Sequence, residues 1–232
     1  MYYNINDILP YLDMLQLDSC SEFEEEYATE TIENFLYKYE KEGKSLPMPT
    51  FCYDSGCTKL VIMPKGVDYV IKIPFNGYMR TDYDEHTRYF EDFETEDYCA
   101  LEEEKYFNFC NYCKRIGREE FIDFLLPVIR VVEYEYYPVY IQYYAEPMNQ
   151  SLARKCSRDS VARVKENKNL PCLPANWLGL CLEKLDNNIK KLEELCDAFD
   201  IAYLTGDLHS RNIGYHGDFP VIIDYGGYDE CY

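Results

Sequence analysis

Apolar residues recur with a helical period at the start of the chain, with a strand period in its middle, and with a helical period again towards the end. Ile5, Ile8, Leu9 and Leu12 stand at the spacing of a helix that buries one face. Ser21-Glu22-Phe23-Glu24 has the form of a capping box and predicts a second helix, with Phe23, Tyr27, Ile32, Phe35, Leu36 and Tyr39 on one side. Gly43 suits the left-handed position just past its end. Lys59-Leu60-Val61-Ile62-Met63 and Tyr69-Val70-Ile71-Lys72-Ile73 are rich in β-branched residues and flank Pro64-Lys65-Gly66, the pattern of a hairpin. A polar, acidic stretch from about Asn76 to Glu96 reads as a loop.

Tyr98–Lys114 then reads as a helix, with Cys99, Tyr106, Cys110 and Cys113 at compatible spacing. Val128–Glu133 and Val139–Tyr144 predict two more strands. Pro147–Ala175 is polar and reads as a linker with a short helix, whereas Asn176–Phe199 has one long apolar stripe and predicts a single amphipathic helix. Thr205–Asn212 is a polar loop, and Val221-Ile222-Ile223-Asp224 a short buried strand ending in an acid. The order predicts a mixed α+β fold with its strands concentrated in the first half. The expected divisions are a helical extension over 1–45, a β-rich lobe over 46–146 and a short helical lobe over 147–232.

Charge narrows the partners. Lys and Arg number 23 against 43 Asp and Glu, a net charge of −20, which repels a duplex or an anionic membrane. No apolar run is long enough for a bilayer, and the start lacks the basic and apolar segments of a signal peptide, so a cytoplasmic protein is expected. Eleven cysteines are an odd number and fit no secreted disulfide framework. Cys110-Asn111-Tyr112-Cys113 has no second pair to complete a zinc site, so these thiols read as small buried hydrophobes.

The chemistry concentrates near the end. Gly206-Asp207-Leu208-His209-Ser210-Arg211-Asn212 and Asp224-Tyr225-Gly226 bracket a predicted strand. Carboxylate and amide oxygens are hard ligands suited to Mg²⁺, and a nearby carboxylate can accept a proton from an incoming hydroxyl. The Asp207-Leu208-x-x-x-Asn212 spacing matches the D-L-x-x-x-N of a kinase catalytic loop, and Asp224-Tyr225-Gly226 has the form of D-F-G. On these residues the chain resembles the protein-kinase-like superfamily, and Gly206-Asp207-Leu208-His209 is most similar to its aminoglycoside-phosphotransferase and HipA-type branches. The resemblance covers about Phe51 to Tyr228.

What the resemblance implies is a two-lobed fold that holds Mg·ATP and transfers the γ-phosphate to a hydroxyl. Val70-Ile71-Lys72-Ile73 looks like the V-A-I-K strand, so Lys72 would bind the α- and β-phosphates. Glu102, on the following helix, would be its partner, with Glu103 and Glu104 as neighbouring choices. Ser55, Gly56 and Lys59 stand where a phosphate loop belongs, although Asp54-Ser55-Gly56-Cys57-Thr58-Lys59 has one glycine and not three. Tyr144 falls in the hinge expected to bind adenine. Asn212 and Asp224 would hold Mg²⁺, and Asp207 would act as base, with His209 stabilising the loop and Arg211 bracing it or pairing with one of the many acids. After Asp224 only eight residues follow, without an activation segment or A-P-E, so the usual peptide platform is not expected. The acceptor would then be a small molecule, or the N-terminal helices (about Asn4–Glu42) and the Pro147–Ala175 segment would build a different acceptor site, as for a protein, with a partner chain completing the second lobe as a third option. A nucleotide-binding pseudokinase acting as an interaction module is the alternative, and an acidic binding protein a third.

Overall fold

The computed structural model describes residues 3–82, 86–93, 97–148, 155–202, 204 and 212–226. The fold is mixed α+β, with mostly antiparallel sheet and several helices. The described residues divide into two compact units, one built from the chain up to Leu101 with Val128–Tyr143, the other from Glu102–Pro127 with the chain from Tyr144 to Gly226.

In the first unit, helices α1 (Ile5–Met14) and α2 (Glu25–Glu42) precede a five-stranded sheet. Its strands β1 (Phe51–Ser55), β2 (Lys59–Pro64), β3 (Tyr69–Pro74), β6 (Val128–Tyr134) and β7 (Tyr137–Tyr143) lie in the order β1-β2-β3-β7-β6. Helix α2 starts later than the capping box predicted. Glu24 is its N-cap, and the carboxylate accepts from the amides of Glu26 and Tyr27 at 2.8 and 2.7 Å, which frees Ser21 of that role. Gly43 closes the helix with φ of 62°.

Alternation along the strands gives the sheet two faces of different chemistry. Leu60, Ile62, Ile71, Ile73 and Ile141 stand opposite one another in register and join Ile8, Leu12, Phe23, Ala28 and Ile32 in one hydrophobic core. The N-terminal helices thus share the core of the sheet. The other face carries Lys59, Val61, Val70, Lys72, Tyr140 and Gln142.

The stretch expected to be an acidic loop contains a hairpin, β4 (Gly77–Asp82) and β5 (Thr87–Asp92). Its pairs include Met79 opposite Phe90, and Arg80 reaches Glu91 at 2.7 Å. Only Gly77 of the two strands is buried, so the core imposes no apolar alternation that would mark them in the sequence.

The second unit holds most of α3 (Tyr98–Ile116), the helices α4 (Arg158–Glu166), α5 (Ala175–Lys184) and α6 (Ile189–Ile201), and a small sheet of β8 (Glu146–Pro147), β9 (Ile213–His216) and β10 (Phe219–Ile222) in the order β10-β9-β8. Phe109 stacks on Phe199 at 5.4 Å, and Trp177 is fully buried beside them. Cys110 and Cys113 are buried in this core; burial pushes the Cys113 thiol up to about 12. The single helix expected over Asn176–Phe199 is broken in two. Asp186 and Asn187 take left-handed φ of 55° and 56°, and Asn188 caps α6 by accepting from the amides of Lys190 and Lys191. Asp and Asn tolerate that conformation better than other non-glycine residues, and the apolar stripe keeps its phase across the break. Among the described residues no helix is long and apolar enough to cross a membrane.

Candidate functional site

Each unit carries part of the expected constellation. In the first, Lys72 occupies the middle of β3, opposite Val61 on one side and Tyr140 on the other. It is 3% exposed, as is Lys59, and the register places both ammonium-bearing side chains on the polar face. Burying a lysine is costly unless it is paired, and β2 and β3 bury one each on the same face. Tyr140, 1% exposed, donates to Asp97 Oδ2 at 2.6 Å. Burial, reinforced by that carboxylate, holds its phenol well above the ordinary value, so the hydroxyl remains a donor. Asp97 also accepts from the Ala100 amide at 2.9 Å, and so caps the first turn of α3. Neither Tyr140 nor Asp97 was marked by the sequence motifs.

The turn between β1 and β2 holds Gly56, whose amide bonds the Lys59 carbonyl at 3.1 Å. Ser55 does not join Lys59 and Lys72. It pairs with Leu60, on the core-facing side, and its hydroxyl donates to Glu25 of α2 at 3.0 Å. Any phosphate contact from this turn therefore falls to its backbone amides and Lys59.

In the second unit, β9 (Ile213–His216) and β10 (Phe219–Ile222) form a hairpin whose outermost pair is Ile213 opposite Ile222. Asn212 just precedes the first strand and Asp224 lies just beyond the second, so the register delivers both to the same open end. The Ile223 amide donates to the Asn212 carbonyl at 2.9 Å and holds that end together. Strand β8 (Glu146–Pro147) pairs with β9 so closely that a Cβ on Gly214 would fall 2.5 Å from the Glu146 carbonyl oxygen. Tyr144, at the expected hinge, is exposed, and its carbonyl accepts from His216 Nδ1 at 2.9 Å, which fixes the imidazole tautomer with the proton on Nδ1.

Of the three consecutive acids on α3, Glu102 is the one that is fully buried. Its carboxylate accepts from the Tyr225 amide at 3.3 Å, which brings α3 onto the Asp224-Tyr225-Gly226 segment. Lys105 Nζ donates to the carbonyls of Tyr225 and Gly226 at 2.9 and 3.0 Å. Lys72 belongs to the first unit and Glu102 to the second. Asp207 lies outside the described residues, as do His209 and Arg211.

The donor set suits magnesium. Mg²⁺ prefers oxygen, keeps several waters and takes one or two protein oxygens besides substrate phosphates. Asp224 offers a carboxylate and the nearly buried Asn212 an amide oxygen. Among the described residues no three His, Cys, Asp or Glu side chains converge as a closed metal site would need. No family model matches the sequence, and no curated protein and no solved structure matches it either.

Proposed function

We propose that this chain binds a nucleoside triphosphate with Mg²⁺ and transfers its terminal phosphoryl group to a hydroxyl acceptor, as an ATP-dependent phosphotransferase of the protein-kinase-like type. The observation that carries the reading is the fully buried Glu102 bonded to the amide that follows Asp224, with Asn212 delivered to the same hairpin end. A helix glutamate, a metal-binding aspartate and a metal-binding asparagine are the three parts such an enzyme needs beside its lysine. The position of Lys72 on the third strand of an antiparallel sheet, ahead of that helix, supports the same reading.

Lys72 acts as a fixed positive charge for the α- and β-phosphates, with Lys59 as a second cation on the same face. Glu102 holds the backbone of the metal-binding segment. Asn212 and Asp224 would hold Mg²⁺ through their side-chain oxygens, and the ion would supply positive charge against the phosphates. Asp207 accepts the proton of the acceptor hydroxyl. Positioning and charge stabilisation account for most of the rate enhancement in phosphoryl transfer, and these residues are of the kinds that provide both.

The test is thermal unfolding with and without Mg·ATP, beside Lys72→Ala and Asp224→Ala. ATP at a hundred times its dissociation constant adds about 2.7 kcal/mol of stability. A metal-dependent shift in the wild type that both variants lose is the expected result. No shift at millimolar Mg·ATP in folded protein refutes the reading.

A further inference from the structure

Lys105 stands three residues beyond Glu102, on the same side of α3, and the two side chains grip one stretch of backbone through its opposite polarities. Glu102 accepts the Tyr225 N–H, while Lys105 donates to the carbonyls of Tyr225 and Gly226. A third hold comes from the Tyr225 hydroxyl, which is buried and donates to the Leu126 carbonyl at 2.7 Å. The amide, the carbonyl and the hydroxyl of Tyr225 are therefore all engaged, and this is the residue that directly follows Asp224. An ammonium suits the task because it carries three donors and makes charge-assisted bonds roughly twice as strong as neutral ones.

We infer that Lys105 is a positioning residue for Asp224: by fixing the two carbonyls that follow, it sets the direction in which the Asp224 carboxylate meets a divalent cation. The inference rests on the proposed role of Asp224 in holding Mg²⁺. A metal ligand on an unrestrained segment must be ordered each time the ion binds, and that ordering costs conformational entropy. Here Glu102, Lys105 and the Leu126 carbonyl order the segment beforehand, and Lys105 is the member that acts on the peptide units beyond Tyr225.

The experiment uses the full chain in three forms: wild type, Lys105→Met, which keeps the length and loses the charge, and Lys105→Arg, which restores it. Hydrogen exchange at the amides of Ile223 to Gly226 reads the restraint without any ligand. Calorimetric titration of ATP in rising Mg²⁺, and again in EDTA, reads its consequence. In Lys105→Met those amides exchange faster, and the half-saturating Mg²⁺ concentration rises about tenfold, the change that about 1.4 kcal/mol produces. ATP binding in EDTA stays as in wild type, and Lys105→Arg recovers both measurements. Unchanged exchange in Lys105→Met overturns the inference whatever the nucleotide does. Faster exchange with an unchanged Mg²⁺ requirement overturns it too, by reducing Lys105 to a structural brace. A wild type that takes up ATP with no Mg²⁺ dependence removes the metal role of Asp224 itself, a failure of the functional reading that is recognisable as such. Should Lys105→Met not fold, Lys105→Gln, which loses the charge but keeps a donor, takes its place in both measurements, and wild-type values in either one overturn the inference.

Discussion

Replacing Asp97 with alanine removes the acceptor of two donors at once, the Ala100 amide in the first turn of α3 and the Tyr140 hydroxyl. Loss of a helix N-cap costs about 1 kcal/mol. The hydroxyl is the larger item, because Tyr140 is 1% exposed and a buried donor left without its acceptor costs about 1–3 kcal/mol. Asp97→Ala should therefore destabilise by about 2–4 kcal/mol. Tyr140→Phe deletes the donor and leaves a half-exposed carboxylate that still caps the helix, so its cost is about 1 kcal/mol. Once the hydroxyl is gone, removing Asp97 costs only the cap. The double variant should lie near 2 kcal/mol, short of the sum of the singles by about 1–3 kcal/mol. Urea unfolding followed by far-UV circular dichroism gives the three values. Fluorescence of Trp177, the only tryptophan, reports the second unit separately. Singles that add to within about 0.5 kcal/mol would show that Tyr140 does not depend on Asp97 and refute the reasoning.

Two further predictions concern the ionisable interior. Burial pushes the phenols of Tyr11 and Tyr215 and the thiols of Cys113 and Cys196 up to about 12, from ordinary values of 10 and 9. The folded protein keeps these protons to a higher pH than the unfolded chain, so unfolding releases protons and stability falls as pH rises through that window. Urea midpoints should decline from about pH 9 towards pH 12, and a midpoint constant from pH 8 to 11 contradicts the assignment. With a thiol reagent at pH 8, the exposed Cys52, Cys57 and Cys172 should react in the native protein, while Cys99, Cys113 and Cys181 wait for unfolding. Prompt modification of Cys113 or Cys181, located by peptide mapping, rules out the packing described for them.

The features legible in the sequence are those in which burial writes a period. The β2–β3 hairpin was visible because both strands bury β-branched residues and Pro64-Lys65-Gly66 interrupts them. The β4–β5 hairpin was not, because strands wet on both sides carry no such pattern. The break between α5 and α6 was hidden for the opposite reason: Leu182, Leu185, Ile189 and Leu192 stay in phase across it, and only the run Asp186-Asn187-Asn188 marks the turn. In the candidate site, the burial of Glu102 follows from its place on the inward side of α3, one turn before Tyr106. The placement of Ser55 depended on strand parity, which needs the register with Leu60. Lys105 could not be found from spacing, because its partners are backbone carbonyls, which leave no trace in side-chain identity.

The two faces of the five-stranded sheet bear on how such a chain can change over time. Leu60, Ile62, Ile71, Ile73 and Ile141 answer to α1 and α2, and errors there are punished by loss of the folded state. Lys59, Val61, Val70, Lys72, Tyr140 and Gln142 alternate with them along the same strands yet share none of that core. Apart from Tyr140, which is tied to Asp97, every second position can therefore drift while its neighbours are held by selection for folding. A lineage could change what this face of the sheet presents without passing through an unfolded ancestor.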